Sequence, residues 1–458
     1  MNNEDSALGG TSRRQFIRKS SMAAAAVAAS SALLRTPVYG QNQAPSANVA
    51  GANNKLVVGF IGVGGQGMAH VHTQKAGAAA NNIELAAVCD LSKTRRVSAA
   101  AEIGGACQPF KDYEELLARK DIDAVTISTV DHWHCKTAIA ALQAGKHIYV
   151  EKPVTRYLPE VFDLYDAVKA SGKILQVGSQ GCTAAGWHKA ADLIKAGQIG
   201  PVVWAQGYYC RNNPKGEWNY PIQDFSKDPT DIDWDKWQAP VHDKKAYDPD
   251  SYFRWCKYYP YCAGLLGDLV PHRLLPLMVA TGNPEFPKRV VCIGTKNVHT
   301  DKNTPGTPER DVPEHVEILA EFPSGMSMLI VASTVAARSP GFVIYGHHAT
   351  LEIGTSGERV DLKPEKEFAD EVDLQTFDGL TPTEDIGQHE KNWFDSIRSN
   401  TQPNAGIDLA VRAQTVISLA EMSNRLNMMC LFDEATKKIT TMDGKEVAPL
   451  NYGVIEPS

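Results

Sequence analysis

The sequence predicts an α/β protein in which a doubly wound parallel sheet is followed by an α+β domain with a largely antiparallel open sheet. Three observations carry that expectation. An apolar, β-branched run over Lys55–Ile61 stops at the glycine cluster GVGGQG. Apolar runs then alternate with helical segments to about residue 180, the mark of a parallel sheet covered by helices on both faces. From Arg289 on, "RVVCIGTKNV", "HVEILAEFP", "SMLIVAST" and "FVIYGHHATLEIG" read as consecutive strands, the mark of antiparallel pairing.

Ahead of the first strand stands a different kind of segment. Arg13 and Arg14 precede Phe16 and an alanine-rich stretch, Met22–Leu34, whose 13 residues fall short of the roughly 20 that a membrane span needs. A charged segment, a short apolar run and small residues predict an export signal, and the paired arginines predict the twin-arginine type. Residues 1–54 are therefore expected to be signal and flexible linker, and the protein to reach the periplasm through the twin-arginine machinery, a route that carries folded proteins. The remaining chain suffices for two domains; the full chain is 43% hydrophobic and 22% charged, and its net charge of −7 argues against nucleic acid as partner. Nine scattered cysteines, without a C-x-x-C pair or a Cys/His cluster, predict core thiols and no metal site.

Gly62, Val63, Gly64, Gly65, Gln66 and Gly67 spell Gly-x-Gly-x-x-Gly between a strand and a helix. Each glycine has a physical task in a Rossmann dinucleotide site. Gly62 makes the tight turn, Gly64 admits the pyrophosphate to the backbone, and Gly67 lets helix and strand pack closely. The helix N-terminus offers free N–H groups to phosphate. A second run, "IELAAVC", ends at Asp90, 23 residues beyond Gly67, where a carboxylate suits ribose hydroxyls. It favours NAD over NADP by repelling a 2′-phosphate, although Arg95 and Arg96 stand nearby. "DAVTIS", "HIYV" and "KILQVG" complete an NAD-binding domain over 55–180, leaving 181–458 for substrate and oligomerisation.

The segment "STVDHWHCKTAIAALQAGKHIYVEKPVT" resembles the signature of the glucose-fructose oxidoreductase, inositol dehydrogenase and MocA family, with Glu151-Lys152-Pro153 as its most specific piece and Val130 departing from the usual proline after Thr129. The resemblance implies that Thr129, Glu151 and Lys152 belong to the cofactor site, that Lys152 reaches the substrate beside the nicotinamide and polarises its oxygen, and that the Lys152–Pro153 bond is cis. His132, Trp133 and His134 follow a strand end on the cofactor side and either border the nicotinamide or pack a loop. Asp268 and His272, four apart, would share one face of a helix. They look like the family's Asp-x-x-x-His pair, whose histidine takes the hydroxyl proton. Gln180, His188, Arg211 and Trp255 are further candidates for substrate contact.

Between Trp204 and Tyr261 lie 15 of the chain's 36 aromatic residues. They would either stack on a sugar ring or pack a small core of their own, in both cases over the mouth of the cleft. The expected function is oxidation or reduction of a sugar, sugar derivative or cyclitol with a tightly bound NAD, in a homodimer or homotetramer. Two rivals remain: an NAD-dependent glycosidase working by transient oxidation, elimination and re-reduction, and a sugar-binding protein without catalysis.

Overall fold

β1 (Leu56–Ile61), β2 (Ile83–Cys89), β3 (Gln108–Phe110), β4 (Ala124–Ile127), β5 (His147–Glu151) and β6 (Leu175–Gly178) form a wholly parallel sheet in the order 3-2-1-4-5-6. The computed structural model describes residues 55–228, 230–299, 309–382 and 385–452; Arg13, Arg14, the Met22–Leu34 run and the linker lie outside them. The β1 run reads as strand because Val57, Val58, Phe60 and Ile61 are β-branched or aromatic, and Val58, Phe60 and Ile61 are buried. Removing each such side chain from water is worth roughly 1.5–3 kcal/mol.

Helices α1 (Gly65–Gly77), α2 (Lys93–Ile103), α3 (Tyr113–Leu117), α4 (Asp131–Gln143) and α5 (Leu158–Ser171) connect these strands. Their starts are written locally. Ser92 caps α2 by accepting from Arg95 N, and Glu160 closes the first turn of α5 by accepting from the Tyr157 backbone. The order reverses at β1 and β4, the place where a doubly wound sheet opens a crevice at its carboxyl edge.

After α6 (Ala185–Lys195) the chain enters a ten-stranded sheet through β7 (Val202–Cys210). Short helices α7 (Trp234–Gln238), α8 (Pro249–Phe253) and α9 (Leu265–Asp268) and the longer α10 (Pro271–Ala280) precede β8 (Arg289–Thr295), β9 (His315–Glu321) and β10 (Ser327–Ser333). β7 and β10 pair in parallel and all other pairs are antiparallel. The run "FVIYGHHATLEIG" is a hairpin of β11 (Phe342–Gly346) and β12 (Ala349–Ile353), not one strand. At Gly346 a Cβ would stand 2.1 Å from the Ile199 carbonyl, so the chain can approach and turn there only with glycine. β13 (Val360–Pro364), β14 (Gln375–Phe377), α11 (Ile386–Ser399), α12 (Ile407–Leu426), β15 (Cys430–Asp433) and β16 (Lys438–Thr440) complete the order.

From Lys55 on the contacts form one compact unit. The position expected to divide two domains, residue 180, separates the sheets but not the core, since one buried cluster runs from Ile61 through Val150, Leu266 and Ile344 to Leu450. All nine cysteines are free thiols and seven are buried. No helix among the described residues is long and apolar enough to cross a membrane.

Candidate active site

A cavity of about 830 Å³ opens at the carboxyl edge of the parallel sheet. Its floor is the glycine loop. Gly62 has φ +85° and a Cβ there would meet the Ser128 carbonyl at 2.6 Å, while a Cβ on Gly67 would lie 2.1 Å from the Gly62 carbonyl. Gly65 has nothing within 4 Å of such an atom, so its face is open to the cavity. The first turn of α1, begun by Gly64 without a side-chain cap, leaves its N–H groups to a phosphate. This cradle fits a dinucleotide. Asp90 lines the cavity and also ties the loop down, accepting from Val63 N at 2.9 Å and Ser92 N at 2.8 Å.

Lys152 follows the last residue of β5, after which the Lys152–Pro153 bond is cis. Its ammonium pairs with Asp268 Oδ1, and Asp268 Oδ2 accepts from Trp218 Nε1 at 2.7 Å. Burial opposes both charges, yet mutual attraction wins: the lysine is held above its ordinary range and the aspartate below its own. Trp218 is 1% exposed and sits at φ +62°, a strained backbone for a bulky residue, and its indole supports the pair.

The expected single helix bearing Asp268 and His272 is corrected. Asp268 ends α9 and His272 is the second residue of α10, because Pro271 has no N–H to continue the first helix and is well suited to begin another. Both side chains still line the cavity with Lys152. His272 lies with its ring 6.0 Å from that of Tyr209, and burial followed by the Lys152 charge pushes its pKa down to about 3, so it is a neutral base.

The other candidates divide. Gly64, Gly65, Gln66, Thr129, Trp133, Glu151, Gln180 and Trp255 line the cavity with Asp90. His132 does not: its ring is buried against Trp237 and Tyr261, and its Nε2 lies 2.8 Å from the Trp237 carbonyl. His188 is turned away, held at 2.8 Å from the Cys182 carbonyl. Arg211 also stands outside the lining, paired with Glu217 at 2.9 Å across the face of Tyr209.

The aromatic segment does both things that its composition suggested. Ile232, Trp234, Val241 and Tyr261 build a small core, while Trp237, Tyr252, Phe253 and Trp255 form cavity wall. It is pinned to the parallel sheet's edge, where Asp231 accepts from Ser92 Oγ at 2.5 Å and Thr94 N at 2.9 Å, and Trp133 donates to the Trp237 carbonyl at 2.8 Å. Tyr252 and Phe253 sit beside Arg95, whose guanidinium approaches Gly64. Most of the segment therefore covers the dinucleotide side of the cleft, and Trp255 with Tyr220 is left for the substrate side.

Three residues went unnoticed in the sequence. Asp131, the first residue of α4, is 2% exposed, lines the cavity and leaves Oδ2 without a hydrogen-bond partner; burial raises its pKa to about 7. His70 on α1 and Glu390 on α11 form a buried chain with Glu151, described below. In the pattern Asp-His-Trp-His the aspartate faces the cavity together with Trp133 and His134, and nothing local marks it as doing so.

Residues 56–179 match the oxidoreductase family with NAD-binding Rossmann fold. An inositol 2-dehydrogenase of Salmonella typhimurium is 26% identical over 167 residues, 36% of this chain and 49% of that protein. A glycosyl hydrolase family 109 protein of Solibacter usitatus is 26% identical over 213 residues, 43% of this chain and 46% of the relative. The chain thus spans about half the length of the curated relatives it matches. A levoglucosan dehydrogenase solved with NADH and levoglucosan shares the fold over 82% of this chain and 98% of its own, with a TM-score of 0.63 at 20% identity.

Proposed function

Residues 56–179 belong to the Gfo/Idh/MocA oxidoreductase family, and we propose from that premise that the protein is an NAD-dependent oxidoreductase of a sugar, sugar derivative or cyclitol. One observation carries the reading: Lys152, Asp268 and His272 converge on the same cavity as the glycine loop. NAD, when bound, supplies the hydride acceptor for the carbon bearing the reacting hydroxyl. Lys152 polarises that hydroxyl's oxygen and favours the alkoxide. His272, neutral, accepts the hydroxyl proton, and the developing alkoxide charge raises its proton affinity as it does so. Asp268 has both oxygens engaged by Lys152 and Trp218, so its part is to aim the ammonium.

Trp255, Tyr209 and Tyr220 offer aromatic faces and Gln180 an amide, a lining suited to the apolar C–H face and polar rim of a sugar. The names of the relatives, a cyclitol dehydrogenase and a glycosyl hydrolase among them, agree with that substrate class. The glycosidase reading draws on Asp131, whose carboxyl stays protonated up to about pH 7 and can donate to a leaving oxygen. Export by the Arg13–Arg14 signal favours a cofactor carried inside the folded protein, since the periplasm supplies little free NAD. A homo-oligomer is supported by the outer face of the large sheet, where Val291, Leu319 and Leu329 lie in register and Ile293 is 64% exposed.

Incubation with sugars, cyclitols and glycosides, without added NAD, tests the proposal. Net ketose or aldonate formation supports the oxidoreductase, and release of an aglycone transfers the case to the glycosidase. Binding of ligand with no turnover in either assay overturns both in favour of a receptor.

A further inference from the structure

Behind the cavity wall, His70 is wholly buried with Nε2 at 2.8 Å from Glu151 Oε1 and Nδ1 at 2.6 Å from Glu390 Oε1. Glu151 receives N–H donors on both oxygens: Gln66 Nε2 at 3.1 Å and Gln180 Nε2 at 3.4 Å join His70 on Oε1, and Lys152 N reaches Oε2 at 3.2 Å. A carboxyl facing only N–H donors is favoured as the charged acceptor. The fit is close, because a Cβ on Gly178 would lie 2.5 Å from Glu151 Oε1. Gln74 Nε2 completes the outer end by donating to Glu390 at 2.8 Å.

We propose that His70 is a positioning residue: clamped as an imidazolium between Glu151 and Glu390, it holds Glu151 as a carboxylate at the cavity wall and so biases bound nicotinamide toward its oxidised, cationic form. The inference rests on the NAD-dependent reading above. Its physical basis is that a fixed negative charge in an enclosed, poorly screened cavity favours a ring that carries positive charge over one that does not. Two ring nitrogens that each face a carboxylate oxygen call for two N–H groups. At the Glu151 end the titration directions agree: burial opposes the charge on His70, but the two glutamates raise its pKa to about 9, and His70 in turn brings Glu151 down to about 2 against burial, whereas burial keeps Glu390 above its ordinary value despite His70 and Gln74. The groups facing this chain are Gln66 and Gln74 from α1, Tyr149 from β5, His389 from α11, and Lys152 and His272 at the cavity.

The test is the ratio of NAD⁺ to NADH affinity, measured by calorimetry on the full chain between pH 6 and pH 9. Wild type should show a ratio unchanged from pH 6 to pH 8, below the value at which His70 loses its proton. In His70→Gln, burial opposed mainly by the Lys152 charge lifts the Glu151 pKa into the range, so the ratio should fall about tenfold at pH 6 and recover toward pH 9. Glu151→Gln should give the low ratio at every pH. A structural role alone would lower melting temperature and leave the ratio flat in His70→Gln, which overturns the proposal. Should that variant not fold, ¹⁵N NMR of wild type decides: a doubly protonated His70 at pH 8 supports the clamp, and a neutral ring removes it. If neither nucleotide binds the wild type, the NAD reading itself falls and the bias with it, while the NMR titration still reports on the clamp.

Discussion

Lys152 and Arg156 stand four residues apart on the same connection, each paired with a carboxylate, and they do opposite things. Arg156 is 2% exposed. It grips Glu421 with two parallel bonds at 2.7 and 2.8 Å, gives a third to the Tyr259 carbonyl, and shares Glu421 with Arg425 at 2.9 Å. Lys152 spends one bond on Asp268 and faces a cavity of about 830 Å³. A guanidinium's planar fork suits a saturated, permanent tie between α12 and the loop before α5, whereas a rotatable ammonium keeps donors for a substrate oxygen. The lesson is that a cation's function here follows from its spare donors and what they face, and not from its burial or its carboxylate.

The comparison breaks most visibly at the lysine. Lys152→Ala should lower turnover by about a hundredfold to ten-thousandfold, the reach of electrostatic and acid–base contributions, with little change in melting temperature; His272→Ala should do likewise. Steady-state rates beside thermal melts check both, and near-normal rates would remove this site from consideration. Arg156→Met should act in the reverse sense, costing up to about 3–5 kcal/mol of stability by leaving Glu421 to Arg425 alone, with the rate per folded molecule nearly unchanged. Denaturant unfolding followed by active-site titration separates the two effects.

A third variant sharpens the contrast by using a carboxyl without a cationic partner of its own. Asp131 has its folded pKa raised, mainly by burial, to about 7. Its contribution is therefore fully present below the unfolded value near 4 and is lost as pH rises through about 7. Asp131→Asn should stabilise the protein at pH 8, by at most about 4 kcal/mol, and have no such effect at pH 4. Melting curves of both proteins at the two pH values read this directly. The smallest expected effect lies on the substrate side. Trp255→Ala should raise KM several-fold for a sugar substrate through loss of a stacking face worth about 0.5–1.5 kcal/mol, with melting temperature little changed.

Much of the first sheet was readable because its signals are local. The glycines at 62, 64 and 67, Asp90 at the next strand end and Glu151-Lys152-Pro153 each lie within one strand–turn–helix unit, so spacing along the chain fixes their spacing in space. The sequence leaves the place of His132 open between cofactor and loop for a related reason. A strand-end or helix address places a residue near the crevice, but which way its ring turns depends on a carbonyl far off in sequence, that of Trp237 for His132. The aromatic segment shows the same limit, since its composition suits a sugar platform or a core, and only its ties to Ser92, Thr94 and Trp133 say which side of the cleft it covers.

By itself, then, the sequence determined the alternation that makes a parallel sheet, the turn that can cradle a pyrophosphate, and the residue types able to move a proton. Tertiary structure alone decided that Asp268 meets Lys152 across 116 residues, that Trp218 supports the pair from a left-handed backbone, and that Glu390 reaches His70 across 320. The physical reason is range. Backbone propensity and turn sterics act over a few residues, while hydrogen bonds and charge pairs are chosen by whichever groups the packed core leaves within about 3 Å of one another.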